Sequence, residues 1–243
     1  MPEGPSLIIL KEKLIGFKGK KILEADGYAD IDYDALINKK ITDIRTWGKH
    51  LFICLPKTNI ELHLRMFGSY TINEKKKKKI NPKLHLGFAQ GEINFYVTDT
   101  KLTPDLSVYD WAGDVMSEDW SPAGAKKKLK AIPETKICDA LLDQNIFSGV
   151  GNIIKNEVLW RIRLHPATPI KNISTARMNI LMKDIVVYSF IFLEQKKKGI
   201  LSRNWHAYNQ TVCSRCDGPI VKAAMGKGKR GTYYCPHCQP LID

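Results

Sequence analysis

Apolar and polar side chains alternate with a period of two along four stretches of the first hundred residues: Lys40 to Arg45, His50 to Leu55, Ile60 to Leu64 and Glu92 to Val97. A half-buried β-strand imposes that period, because successive side chains leave it on opposite faces. The stretches predict an antiparallel β-sandwich or barrel. Ahead of them Leu7, Leu10 and Leu14 recur at i, i+3 and i+7, one face of a helix that opens just after Pro5. Beyond Asp99 the alternation fades. Helices are predicted around Lys136 to Asp143, Asn152 to Arg163 and Thr175 to Lys198, before a short tail rich in Cys and Gly. Ser121-Pro122-Ala123-Gly124 reads as a linker running into a basic helix at Lys126-Lys127-Lys128. The predicted class is α+β: an N-terminal helix with an antiparallel β-sandwich over residues 1–115, a helical segment over 116–208 and a metal-binding finger hairpin over 209–243.

The chain has 243 residues, 44% of them apolar and 26% charged, which excludes disordered and fibrous classes. Its longest near-continuous apolar stretch, Ile185 to Leu193, is about half of the roughly 18 residues a bilayer crossing needs, so no membrane span is predicted. Charge changes the picture more. The 38 Lys and Arg against 25 Asp and Glu leave a net +13, which points to a polyanion, and nucleic acid is favoured over an acidic membrane surface. The run Lys75 to Lys79 lies between strand-like segments and reads as a solvated loop. The start lacks the basic and apolar regions of a secretory signal, so a cytoplasmic, nucleoid-associated protein is expected, with its cysteines as thiols or metal ligands.

Cys213-x2-Cys216 and Cys235-x2-Cys238 are separated by eighteen residues. Each pair can place two thiolates on one tetrahedral ion, and four close the shell around a single structural Zn2+ with no position open to water. A rubredoxin-like iron site would use the same ligands. Cys54 and Cys138 stand alone and are expected in the core. From Lys196 onward nine basic residues face two acidic ones, and the segment Lys227 to Thr232 is expected at the finger tip, where Arg230, flanked by small residues, can reach a phosphate or a base edge.

Gly149-Val150-Gly151-Asn152 precedes the second predicted helix, with Asn152 placed as its N-cap. The backbone N–H groups of such a helix start can bind phosphate, although ordinary helix turns use the same residues. At the other end of the sequence, Pro2 is small enough that removal of Met1 is expected, leaving a secondary amine with a pKa of about 7.7 to 8.0. Such an amine can attack a sugar C1′, and the resulting iminium acidifies the C2′ proton, with Glu3 beside it as acid and base.

Met1-Pro2-Glu3-Gly4-Pro5, Leu141-Leu142-Asp143-Gln144 leading to Gly149-Val150-Gly151-Asn152, and Arg230-Gly231-Thr232-Tyr233-Tyr234-Cys235-Pro236-His237-Cys238-Gln239 occur in one chain, in that order. Together they resemble the formamidopyrimidine-DNA glycosylase and endonuclease VIII family, whose members excise oxidised bases and cut the strand at the abasic site. The resemblance implies a helix-two-turns-helix motif in the helical segment. It implies Pro2 as Schiff-base nucleophile, Glu3 as acid/base residue, and Lys49 as a strand-borne lysine contacting lesion phosphate and assisting the chemistry. It implies Asn152 and Arg230 as phosphate contacts, and Met66 as the wedge that fills the stack once the damaged nucleotide is flipped out. This chain departs from the family pattern at Ser6, often acidic elsewhere. It departs again at Asp99-Thr100-Lys101-Leu102, where many members carry an Arg-Phe pair that probes the orphaned base. Only thirteen residues separate Gly199 from Cys213, too few for the lid that caps 8-oxoguanine in one branch. The resemblance therefore leans toward oxidised pyrimidines and ring-opened purines.

Two other functions fit the same residues: a non-catalytic zinc-finger protein that binds damaged or abasic DNA, and a lyase confined to pre-formed abasic sites. The expected partner in each case is double-stranded DNA with a damaged base or abasic site, bound by a monomer.

Overall fold

The computed structural model describes residues 2–74 and 80–242, and the lysine run at 75–79 lies outside the described residues. The chain forms two compact units: residues 1–2 with 6–109, and residues 3–5 with 110–243. The first boundary therefore falls at Tyr109, ahead of the expected 115, and the finger packs as part of the second unit.

The first unit is built on helix α1 (Gly4–Leu14), from Ser6 onward, and two four-stranded antiparallel sheets. One sheet has the order β1 (Glu24–Gly27), β6 (Leu84–Phe88), β7 (Gly91–Tyr96), β5 (Ser69–Ile72). The other runs β2 (Asp43–Trp47), β3 (His50–Leu55), β4 (Thr58–His63), β8 (Asp99–Thr103). The alternation read from the sequence sorts the side chains: Leu51, Ile53, Ile60 and Leu62 from the second sheet meet Leu84, Leu86, Ile93 and Phe95 from the first in one core. Leu7, Leu10 and Leu14 join that core from α1, each without solvent exposure. The predicted strand at Glu92 to Val97 stops at Tyr96, because Val97 turns into the left-handed region with φ 55°.

In the second unit, α2 (Pro122–Lys130) begins inside the predicted linker. Ser121 is its N-cap, accepting from Gly124 N–H at 3.1 Å, and Pro122 fills the first helical position, where no N–H is needed. A short helix α3 (Ile137–Ala140), α4 (Asn152–Arg161) and α5 (Thr175–Lys197) follow, and β9 (Val221–Met225) pairs antiparallel with β10 (Arg230–Tyr234) as the finger hairpin. Among the described residues no helix is long and apolar enough to cross a membrane.

Every residue of α4 from Ile153 to Trp160 is buried, including Lys155, Asn156 and Glu157. A helix buried on all sides must find partners for its polar side chains. Glu157 finds them in the backbone N–H groups of His206, Ala207 and Tyr208, at 2.7 to 3.1 Å. Cys54 and Cys138 are buried, as expected for isolated thiols.

Truncating Leu10→Ala empties a fully buried site and is expected to cost about 2–5 kcal/mol of the first unit's stability. Urea unfolding checks this, and a loss below about 1 kcal/mol would show that α1 is not part of the core.

Candidate nucleic-acid interface and metal centre

In the second unit the N-terminus of α4 is occupied by a carboxylate from the start of the chain. Glu3, fully buried, accepts from Gly151 N–H at 3.1 Å, Ile153 N–H at 2.7 Å and Ile154 N–H at 3.1 Å. These are the orphan donors of a helix start, and the macrodipole favours a negative charge there. The sequence leaves phosphate binding at these N–H groups open beside an ordinary helix turn; the anion the fold supplies is Glu3. Gly151 is required by proximity, since a Cβ on it would lie 2.3 Å from Glu3 Cδ. Gly151 is also the N-cap, with Asn152 the first helical residue, which corrects the expected cap. The cap position is crowded by Glu3, so Asn152 uses its side chain elsewhere. Its Nδ2 donates to the Gly231 carbonyl at 2.9 Å, tying the helix start to the finger strand that carries Arg230. Gly4 N–H donates to Gly149 O at 2.9 Å, and Gln144 binds the same turn through Leu142 O, Val150 O and Gly149 N–H.

Arg230 opens β10 and is exposed, while the turn itself is formed by residues 226–229. The expected tip is thus shifted toward its N-terminal half. Gly226 takes φ +77°, and Asp139 Oδ1 accepts from Lys227 N–H at 2.9 Å, pinning the turn to α3.

The Sγ atoms of Cys213, Cys216, Cys235 and Cys238 all lie within 4.8 Å of one another, with 3.9 Å between Cys213 and Cys238 and 3.5 Å between Cys216 and Cys235. Zn–S bonds of about 2.3 Å in a tetrahedron put sulfurs about 3.8 Å apart, so the donor set fits one structural zinc. Burial pushes the Cys213 thiol up, but the Trp160 indole N–H, at 3.3 Å, and the backbone N–H groups of Arg215 and Cys216 bring it down to about 6. Trp160 in turn carries the Arg215 guanidinium 3.9 Å from its ring centre and His206 stacked at 4.7 Å. The metal site is therefore braced by α4.

In the first unit Lys49 lies in the two-residue turn joining β2 to β3, not within a strand, because Trp47 and His50 close the ladder on either side of it. Met66 and Phe67 project from the turn after β4, 48% and 78% exposed. Apolar side chains this exposed at a turn suit insertion between bases, and Phe67 is a second wedge candidate that sequence reading passed over.

Sequence reading also missed the outer face of the second sheet. The ladder places Phe52 opposite Glu61 and Glu61 opposite Lys101. The buried Glu61 carboxylate accepts from His50 Nδ1 at 2.9 Å, Thr103 Oγ1 at 2.7 Å and Tyr109 OH at 2.5 Å, and pairs with Lys101 Nζ at 3.2 Å. Burial alone would raise the Glu61 carboxyl, but these bonds outweigh it and hold it below its ordinary value. Burial lowers His50 against the upward pull of Glu61. A cleft of about 330 Å3 opens here, lined by His50, His63, Arg65, Asp99 and Lys101 among others. The signal was present as polar residues at every odd position from Asn59 to His63.

Residues 1–102 match the family model for the formamidopyrimidine-DNA glycosylase N-terminal domain, 112–200 its H2TH domain, and 211–241 a zinc finger found in that enzyme and in IleRS. The chain is 32% identical over 205 residues to human Endonuclease 8-like 3, covering 81% of this chain and 34% of that protein. It is 29% identical to the formamidopyrimidine-DNA glycosylase of Mycoplasmopsis pulmonis over 100% of this chain and 99% of that one. The chain thus spans about a third of the length of the Endonuclease 8-like 3 relatives it matches. Lactococcus lactis formamidopyrimidine-DNA glycosylase bound non-covalently to abasic-site DNA has the same fold, with a TM-score of 0.85, 24% identity, and coverage of 98% of this chain and 99% of that one.

Two outcomes test the site. Metal analysis is expected to give one zinc per chain, with Cys235→Ser losing the metal and unfolding the finger; a variant that keeps its zinc would contradict the four-thiolate site. Glu61→Gln is expected to cost about 1–3 kcal/mol at pH 7. Because the folded carboxyl lies below its ordinary value, its stabilisation is present above that value and lost as pH falls through the folded one. The difference between wild type and variant in urea unfolding should therefore narrow toward acid pH, and a pH-independent difference would refute the assignment.

Proposed function

The chain belongs to the formamidopyrimidine-DNA glycosylase family, and we propose that it is a bifunctional DNA glycosylase and abasic-site lyase acting on oxidised bases. The observation that carries this reading is the capture of Glu3 by the start of α4, which fixes the residue next to the Pro2 amine on the helix that also holds Asn152.

In this reading the Pro2 nitrogen lone pair attacks C1′, the glycosidic bond breaks, and the base leaves with the bonding electrons and a proton. The amine loses its own proton, and its lone pair then expels O4′ from C1′, opening the sugar ring with a proton delivered to O4′ by Glu3; the C1′–nitrogen iminium so formed draws electrons from the C2′–H bond. Removal of that proton expels the 3′ phosphate, and a second elimination expels the 5′ phosphate; water then releases the sugar fragment and restores the amine. Glu3 handles protons at the sugar. Lys49, Asn152 and Arg230 hold phosphates, which positions the strand without reading its sequence, and Met66 fills the space left by the flipped nucleotide. The partner is double-stranded DNA with a damaged base or abasic site, met by a monomer in the cytoplasm. With Lys101 in place of an Arg-Phe pair and a short segment before Cys213, oxidised pyrimidines and ring-opened purines are the favoured substrates.

Borohydride trapping on duplexes carrying an abasic site or 5-hydroxyuracil tests this, comparing the native N-terminus with a tagged one. Adducts on both duplexes are expected only from the free terminus. Trapping on the abasic duplex alone would reduce the activity to a lyase, and no trapping despite binding would leave a damage-binding protein.

A further inference from the structure

The phosphate contacts assigned to Asn152 and Arg230 share a buried lysine amine behind them. Lys155 lies one turn after Asn152 on α4, and Thr232 lies two residues after Arg230 on β10, so the helical and strand periods put each on the same face as its phosphate-binding neighbour. Lys155 Nζ donates to Thr232 Oγ1 at 2.9 Å, and that hydroxyl donates onward to the Arg230 carbonyl at 3.1 Å. The hydrogen-bonded chain ends on the backbone of Arg230 itself.

Lys155 is 1% exposed, and Thr232 is its only hydrogen-bond partner among the described residues, with no carboxylate at ion-pair distance. An ammonium has three donors, and burying one without a counterion is unfavourable by several kcal/mol. Burial pushes Lys155 down to about 8, against the upward pull of Cys138, Asp139 and Glu3, with Arg230 pushing it lower. The nearby charges are engaged elsewhere: Glu3 caps α4, Asp139 accepts from the finger turn, Glu157 binds the backbone at 206–208, and on α5 Asp184 pairs with Arg161 beside Tyr188. Asn152 Oδ1, on the same seam, is also buried without a partner. The seam between α4 and β10 thus holds a buried amine without a counterion and one unpartnered amide oxygen.

We propose that Lys155 is a positioning residue for DNA binding: the phosphate held by Asn152 and Arg230 supplies the negative charge this buried amine lacks, an amine that has lost its proton regains one from solvent as the phosphate arrives, and the charged amine locks Thr232 and the Arg230 backbone. The proposal rests on the phosphate role of Asn152 and Arg230. Because the bound amine holds its proton more tightly than the free one, affinity is full below about pH 8. It weakens above that, approaching tenfold per pH unit.

The test is equilibrium binding to an uncleavable tetrahydrofuran duplex at constant ionic strength from pH 6.5 to 9.5. Wild type is expected to weaken about five- to tenfold between pH 7.5 and 9. Lys155→Met is expected to bind several-fold more weakly at pH 7 and to lose the slope, and Lys155→Arg to recover affinity without it. Calorimetry of the wild type at pH 8.5 in two buffers of different ionisation enthalpy should show net proton uptake, a readout that survives if the variants fail to fold. A flat wild-type profile, zero uptake, or an unchanged slope in Lys155→Met would overturn the proposal, as would loss of the slope on blocking the Pro2 amine with a tag. Asn152→Ala and Arg230→Ala at pH 7 separate the two readings. If neither weakens binding the phosphate assignment has failed; if both do while the wild type stays flat, only Lys155 has.

Discussion

Three backbone N–H groups at the start of α4 converge on one carboxylate, and most of the second unit's chemistry depends on that contact. A helix N-terminus buried without partners would be costly, and a buried carboxylate would be more so; Glu3 and α4 resolve each other's penalty. The consequence reaches beyond stability. Glu3, the residue next to Pro2, is held at a fixed place by an element about 150 residues away in sequence, and the glycine that permits the approach is the one from which the helix begins.

From that anchored start, α4 distributes its buried polar side chains to everything around it. Asn152, Lys155 and Asn156 reach β10, Glu157 gathers the loop at 206–208, and Trp160 braces a zinc ligand. Each bond is one that burial obliges the helix to make, and together they fix the finger strand relative to the helix start. A hairpin of two five-residue strands has little core of its own. It borrows order from the metal on one side and from α4 on the other.

In the first unit a different economy holds. The sheet of β2, β3, β4 and β8 buries one face in the apolar core and gathers His50, Glu61, Lys101, Thr103 and Tyr109 on the other. Glu61 stays charged because its neighbours donate more than burial takes away. The turn bearing Lys49 follows directly into His50, so the lysine stands beside a rigid, charge-balanced surface.

Periodicity and spacing determined a good deal of this protein. The period-two stretches located β2, β3, β4 and β7, Leu7, Leu10 and Leu14 marked the buried face of α1, and two C-x-x-C pairs defined a metal site, because each of these signals is local and repeats at a distance fixed by backbone geometry. The structure corrects two readings for different reasons: Ser121-Pro122, read as a linker, is a local helix start with its own cap and first-turn proline, whereas Asn152 gave up its cap to Gly151 because Glu3, distant in sequence, fills the space. What only the tertiary structure decided is the pairing of groups far apart in sequence, Glu3 with Ile153, Lys155 with Thr232, Glu61 with Tyr109. Nothing in the order of residues specifies such contacts; they follow from which buried polar groups the packed core leaves with no water to bind.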